Sequence, residues 1–244
     1  MKLVLIGATS AIVHATARRF ASVDNSLYLV GRDTEKMSVV ENDLKARGAK
    51  DVKSYVTNFL DPEAVRRIVQ DIITEAETID VVLVGHGVLP DQDICAGEYE
   101  SFLQQLDVNF LSAVSFIQAF RDHLIERGAG IIAIVSSVAG DRGRKSNYAY
   151  GTAKGALSLF AAGLRNELYT KGVHVLTIKP GFVDTPMTTN VKKGPLFATP
   201  DKVAGDIERA IRKKSDVLYT PWFWRWIMLI ICSIPERLFK RLSL

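Results

Sequence analysis

Cysteine is nearly missing from this chain. Cys95 and Cys232 are the only two in 244 residues, and they lie far apart, without metal-ligand spacing. That argues against a disulfide framework and a zinc site, so no metal is expected, and a reducing cytoplasm is the expected setting. Strong net charge is missing too. Of the formal +4, most lies in the last stretch, where Arg225, Arg237, Lys240 and Arg241 stand against the single Glu236. The remainder is nearly neutral, which argues against a nucleic-acid surface and fits a local attraction to anionic lipid. No Gly/Ser-rich or Pro-rich linker, repeat or low-complexity segment interrupts the chain. The opening MKLVLIGATS has too short an apolar stretch for a signal peptide, and its residues are needed for a strand.

What is present is an alternation. Leu3–Ile6, Leu27–Val30, Val52–Val56, Val81–Val84, Ile131–Val135, Val173–Ile178 and Val217–Tyr219 read as strands. Helix-length segments separate them: Ile12–Ser22, Thr34–Arg47, Pro62–Ala76, Phe102–Arg127, Ala149–Lys171 and Pro200–Lys213. Continuous apolar strands alternating with helices predict a parallel sheet covered on both faces. The expected fold class is α/β: one doubly wound, seven-stranded parallel sheet of Rossmann type over residues 1–220, with a tail over 221–244. Ligands of such a fold lie across the carboxyl ends of the strands.

The first strand runs into Gly7-Ala8-Thr9-Ser10-Ala11-Ile12-Val13, where a tight turn meets a helix N-terminus that can attract pyrophosphate. A dinucleotide turn has three glycines. Only Gly7 remains, with Ala11 and Val13 in the other two places, so the turn alone also fits a plain βα connection. After the second strand, Arg32 stands where an acidic residue would bind a free ribose 2′-hydroxyl. It suits the 2′-phosphate of NADP, which is expected rather than NAD.

The segment IVSSVAGDRGRKSNYAYGTAK, residues 134–154, carries the strongest signal. Tyr150 and Lys154 are four apart and share a helix face, while Ser137 closes a strand. A phenol titrates near ~10 in water, and an ammonium one turn away is expected to lower that. Ser137 can hydrogen-bond a substrate oxygen.

On these residues the chain resembles the short-chain dehydrogenase/reductase family from about Met1 to Thr220. The resemblance implies that Tyr150 is the catalytic acid/base, and that Lys154 tunes it and contacts the nicotinamide ribose. It makes Ser137 the substrate-orienting serine, and Asn109 the residue that holds a water in the proton relay. The loop Lys179-Pro180-Gly181-Phe182-Val183-Asp184-Thr185 corresponds to the family's proline-glycine loop, with Pro180, Gly181, Val183 and Thr185 near the nicotinamide and phosphates. Gly7, Thr9, Ser10, Ala11 and Ile12 would line the phosphates. Asn58 replaces an adenine-contacting Asp, and Val84-Gly85-His86-Gly87 replaces the usual Asn-Asn-Ala-Gly, with Gly85 still beside the cofactor. His86 reads as a structural loop histidine or a ribose contact; His14 has no expected catalytic role.

Met187–Thr199 is expected to form a substrate lid, whose Lys192 and Lys193 either favour an anionic group or are simply solvated. The tail PWFWRWIMLIICSIPERLFKRLSL is apolar on nearly all sides from Trp222 to Cys232, yet only ~16 Å long as a helix. It cannot span a hydrocarbon core of ~30 Å. Three tryptophans and a basic end suit an interfacial anchor on the inner membrane face; burial in a homo-oligomer contact is the alternative. The tail and the altered turn are similar to those of the decaprenylphosphoryl-2-keto-erythropentose reductases. The function expected is therefore NADPH-dependent reduction of a lipid-linked keto sugar. Alternatives are another hydrophobic carbonyl, such as a 3-oxoacyl chain or a steroid, and a non-catalytic NADP-binding regulator.

Overall fold

The computed structural model describes residues 1–189 and 192–242. Seven parallel strands, β1 (Lys2–Ile6), β2 (Ser26–Gly31), β3 (Asp51–Val56), β4 (Val81–Val84), β5 (Gly130–Val135), β6 (Val173–Pro180) and β7 (Val217–Thr220), form one sheet in the order β3-β2-β1-β4-β5-β6-β7. The strands read as unbroken apolar runs because each residue finds a helix layer on its own side. Leu3 and Leu5 of β1 face one core, with α1 (Ala11–Phe20), α2 (Thr34–Ala46) and α8 (Pro200–Arg212). Val4 and Ile6 face the other, with α3 (Pro62–Ala76), α6 (Ser112–Arg127) and α7 (Tyr148–Tyr169).

The strand order reverses direction at β1, which pairs with both β2 and β4. A crevice therefore opens between the loops after β1 and β4, the usual ligand position of this architecture. The two loops approach closely. Gly7 has φ +79°, and a Cβ added there would stand 2.7 Å from the Cβ of His86. Both the backbone angle and the space require glycine.

One expectation is corrected. The single helix expected over Phe102–Arg127 is instead α5 (Tyr99–Leu106), a π-helical turn (Asp107–Leu111) and α6, and a short α4 (Gln92–Gly97) precedes them. The π turn places one extra residue in the helix and carries Asn109 at its centre. Apolar periodicity does not reveal it, because helix continues on both sides.

The tail, expected to be apolar on nearly all sides, packs one of its apolar faces against the body. Its helix α9 (Trp224–Ser233) turns Trp224 and Met228, one turn apart, inward onto Val138, with Tyr219, Phe223, Ile227 and Ile231 around them. Trp226, Leu229 and Ile230 on the opposite face are each more than half exposed, as is Trp222 just before the helix. A short α10 (Glu236–Phe239) follows. Among the described residues no helix is long and apolar enough to cross a membrane.

Candidate active site

Ser137, Tyr150, Lys154 and Asn109 converge at the carboxyl end of the sheet. β5 ends at Val135, and Ser136 and Ser137 lead into a single 3-10 turn, Val138–Gly140. Ser137 starts that turn, its hydroxyl accepting from the Ala139 amide at 3.1 Å. The turn lies directly on α7. A Cβ on Gly140 would stand 2.6 Å from the Gly155 nitrogen, and one on Gly151 would stand 2.9 Å from the Ala139 carbonyl oxygen. The Ser136 hydroxyl completes the seam, donating to the Lys154 carbonyl at 2.8 Å and meeting Ser158 Oγ at 2.7 Å.

From that helix the Tyr150 hydroxyl bonds to Ser137. Lys154 is almost fully buried, its Nζ donating to the Val135 carbonyl at 3.0 Å and lying 5.9 Å from the centre of the Tyr150 ring. The fully buried Asn109 accepts from the Val88 amide at 2.9 Å and donates to the Val88 carbonyl at 3.0 Å and to Gln105 Oε1 at 2.9 Å. Gly87 stands between these groups: a Cβ there would lie 2.6 Å from Asn109 Oδ1 and 3.5 Å from Lys154 Nζ. Sequence reading missed the roles of Gly87 and Gln105. The second glycine of Gly85-His86-Gly87 was the available signal for the first; nothing local marks the second.

The expected lowering of the Tyr150 pKa is corrected. Burial pushes this phenol up to about 12, and the bond from Ser137 opposes that only in part. The lysine, held by the Val135 carbonyl, does not reverse it. Burial also brings Lys154 down to about 8. Tyr150 is therefore protonated at neutral pH, as a proton donor to a carbonyl must be.

The crevice fits a dinucleotide. α1 starts at Ser10 with no capping side chain and no acidic residue in its first turn, so the first-turn amides of Ala11 and Ile12 are available to an anion. Thr9 is exposed beside them. The missing third glycine is compensated across the crevice, since a Cβ on Gly85 would stand 2.3 Å from Val13 Cγ2. Arg32 is exposed at the end of β2, its guanidinium 5.8 Å from the Phe59 ring. Asn58 is exposed, but its Oδ1 already accepts from the Leu60 amide at 3.0 Å. Pro180 closes β6, Gly181 follows, and Val183 bridges to Ala198, with Thr185 opening the next turn.

His86 takes a structural place. Its Nε2 bonds Ser112 Oγ at 2.7 Å, its ring meets Phe59 and Phe116 edge-on, and burial holds it neutral, down to about 3. His14 pairs with Asp43 at 2.8 Å, away from this site. Lys193, in the segment expected to form a substrate lid, pairs with Asp184 at 2.7 Å. Beside it Phe182 stacks on Phe197 and meets Trp224 of the tail edge-on, with ring centres 5.2 and 5.3 Å apart.

Comparison with known proteins agrees with this geometry. The family model described as short chain dehydrogenase matches residues 2–195. An uncharacterized oxidoreductase of Streptomyces coelicolor is 32% identical over 241 residues, covering 98% of this chain and 95% of that protein. One from Mycobacterium tuberculosis is 29% identical over 240 residues, covering 98% and 96%. Among solved structures, a short-chain dehydrogenase from Sphingobium yanoikuyae in complex with NADPH has a TM-score of 0.82 at 20% identity, with 96% of each chain covered. An alcohol dehydrogenase from Thermococcus sibiricus complexed with 5-hydroxy-NADP has a TM-score of 0.77 at 22% identity, with 89% of this chain and 94% of that one covered. At these identities the structural likeness shows the fold.

Lys154 carries a stability cost that can be measured. Between about 8 and the ordinary 10.5 the unfolded chain holds the proton and the folded chain does not, so stability rises with pH through that window. Below it the burial costs about 3 kcal/mol, while the lost bond to Val135 is worth about 1 kcal/mol. Lys154→Met is expected to raise urea-unfolding stability at pH 7 by about 1–2 kcal/mol and to flatten its rise toward pH 10. A variant less stable than wild type at pH 7 would contradict this account.

Proposed function

The chain belongs to the short chain dehydrogenase family, and we propose that it uses NADPH to reduce a keto group on a hydrophobic, lipid-linked substrate. The observation that carries the reading is the meeting of Ser137, Tyr150, Lys154 and Asn109, with Trp224 of the aromatic group Phe182, Phe197 and Trp224 packed on Val138 next to Ser137.

Tyr150 donates its phenolic proton to the substrate oxygen as negative charge develops there. Ser137 holds that oxygen by a hydrogen bond and keeps the carbonyl facing the phenol. Lys154 offsets charge on the resulting phenolate, and Asn109 orders the backbone at Val88 beside the relay that reprotonates it. The nicotinamide, when bound, supplies the hydride. Its phosphates would lie over Gly7, Thr9, Ser10, Ala11 and Ile12, with Gly85, Pro180, Gly181, Val183 and Thr185 toward the nicotinamide end. Arg32 would pair with a 2′-phosphate.

Among lipid-linked carbonyls we favour a 2-keto sugar on a polyprenyl phosphate. The exposed face of Trp222, Trp226, Leu229 and Ile230, with Arg225, Arg237, Lys240 and Arg241 nearby, supports a lipid surface as the tail's partner. That would place the enzyme peripherally on the cytoplasmic face. The aromatic group equally suits a second reading, a 3-oxoacyl or steroid-like carbonyl without a sugar. The exposed Leu111 and Leu159 support self-association through the α6–α7 side.

Tyr150→Phe should cut turnover by about 10²–10⁴-fold with NADPH binding kept. The assay is NADPH oxidation over polyprenyl-phosphate keto sugars, 3-oxoacyl thioesters and simple ketones. An unchanged rate would overturn the assignment, and the preferred member of the panel separates the two readings.

Arg32→Glu should weaken NADPH binding tenfold or more while leaving NADH within threefold, measured by fluorescence titration. Equal losses for both cofactors would refute the 2′-phosphate role.

Wild-type chain should float with vesicles of anionic phospholipid, and Trp226→Ser with Ile230→Ser should not. If the pair instead dissolves a dimer and wild type never floats, the tail's partner is a second copy.

A further inference from the structure

Arg142 lies in the loop that joins Ser137 to Tyr150, and it grips the tail. Its Nη1 shares two N–H groups among three carbonyls at the end of α9, those of Ile231 (2.9 Å), Cys232 (3.0 Å) and Ile234 (2.7 Å). Its Nη2 reaches Glu236 at 3.0 Å, and its guanidinium carbon stacks 3.8 Å from the centre of the Phe239 ring. The side chain is only 14% exposed. A helix C-terminus leaves carbonyls unpaired and carries partial negative charge, so a planar, permanently charged fork is matched to it as no other side chain is.

The preceding residue grips the sheet. Asp141 accepts from Lys179 on β6 at 2.5 Å and from the Tyr219 hydroxyl on β7 at 2.8 Å. Its carbonyl faces the Cys232 thiol at 3.6 Å. Two consecutive loop residues thus join β6, β7, α9 and α10 to the segment carrying Ser137 at one end and Tyr150 at the other. Val138, next to Ser137, is meanwhile buried under Trp224 and Met228.

We propose that Arg142 is a positioning residue for Ser137 and Tyr150, and that the seated tail is a structural part of the catalytic loop as well as an outward-facing surface. The inference rests on the reading of Tyr150 as the proton donor. It goes beyond it in making catalytic geometry depend on contacts some 90 residues away in sequence.

The test uses the full chain as Arg142→Ala, Arg142→Lys and Phe239→Leu, with Tyr150→Phe as reference. Amide hydrogen exchange over residues 138–147 should rise at least tenfold in Arg142→Ala while β1 exchanges as in wild type. Millimolar guanidinium chloride should restore protection to Arg142→Ala, and Arg142→Lys should fall between the two. The alkaline absorbance titration of Tyr150, taken as the difference from Tyr150→Phe, should shift in Arg142→Ala, because both the burial of the phenol and its bond to Ser137 depend on the loop. Phe239→Leu, which keeps the hydrogen bonds, should show the same changes to a smaller degree and decides the matter if Arg142→Ala does not fold. Unchanged loop exchange, or an unmoved Tyr150 titration, overturns the proposal. Neither readout needs a substrate, so failure of the whole ketone panel would count against the proposed reaction and leave this result standing.

Discussion

The site depends on one close approach, that of the Val138–Gly140 turn to the backbone of α7. Where Gly140 meets Gly155 and Gly151 meets Ala139, there is room for hydrogen and nothing larger. This seam brings a serine at a strand end and a tyrosine on a helix into bonding distance without either reaching. It also drives Lys154 into the interior, where its charge is disfavoured. Stability and chemistry therefore conflict at the same residue, as they commonly do at active sites.

A second adjustment lies across the crevice. Val13 stands where the resembled family has a glycine, and its methyl occupies the space that any side chain on Gly85 would need. The bulk has moved from one wall to the other while the crevice between β1 and β4 persists. The histidine between those walls is neutral and engaged with Ser112 and two phenylalanines, so it acts as packing with one polar attachment.

Much of this was legible in the chain itself. The strands announced themselves as apolar runs because both faces of the sheet are covered, and Tyr150 and Lys154 announced themselves through helical spacing. Other features left no local trace. The π turn around Asn109 interrupts a helix without interrupting its apolar pattern. The tail looked uniformly greasy because its inner face, Trp224 and Met228, and its outer face, Trp226, Leu229 and Ile230, are equally apolar; only packing distinguishes them. The direction of the Tyr150 shift depends on how deeply the phenol lies and where the lysine bonds, which spacing does not record. Arg142 is one cation in a polar loop until the fold brings α9 to it.

The two-faced α9 has a practical consequence for anyone preparing this protein. An apolar C-terminal segment invites truncation as a remedy for poor behaviour during expression. Here such a cut would uncover Val138 and Tyr219, and take from Arg142 every contact described above and from Asp141 its contact with Cys232, exchanging one sticky surface for another beside Ser137. Polar replacements confined to Trp226, Leu229 and Ile230 would change how the molecule handles in a column or a crystallisation drop while leaving the inner face seated.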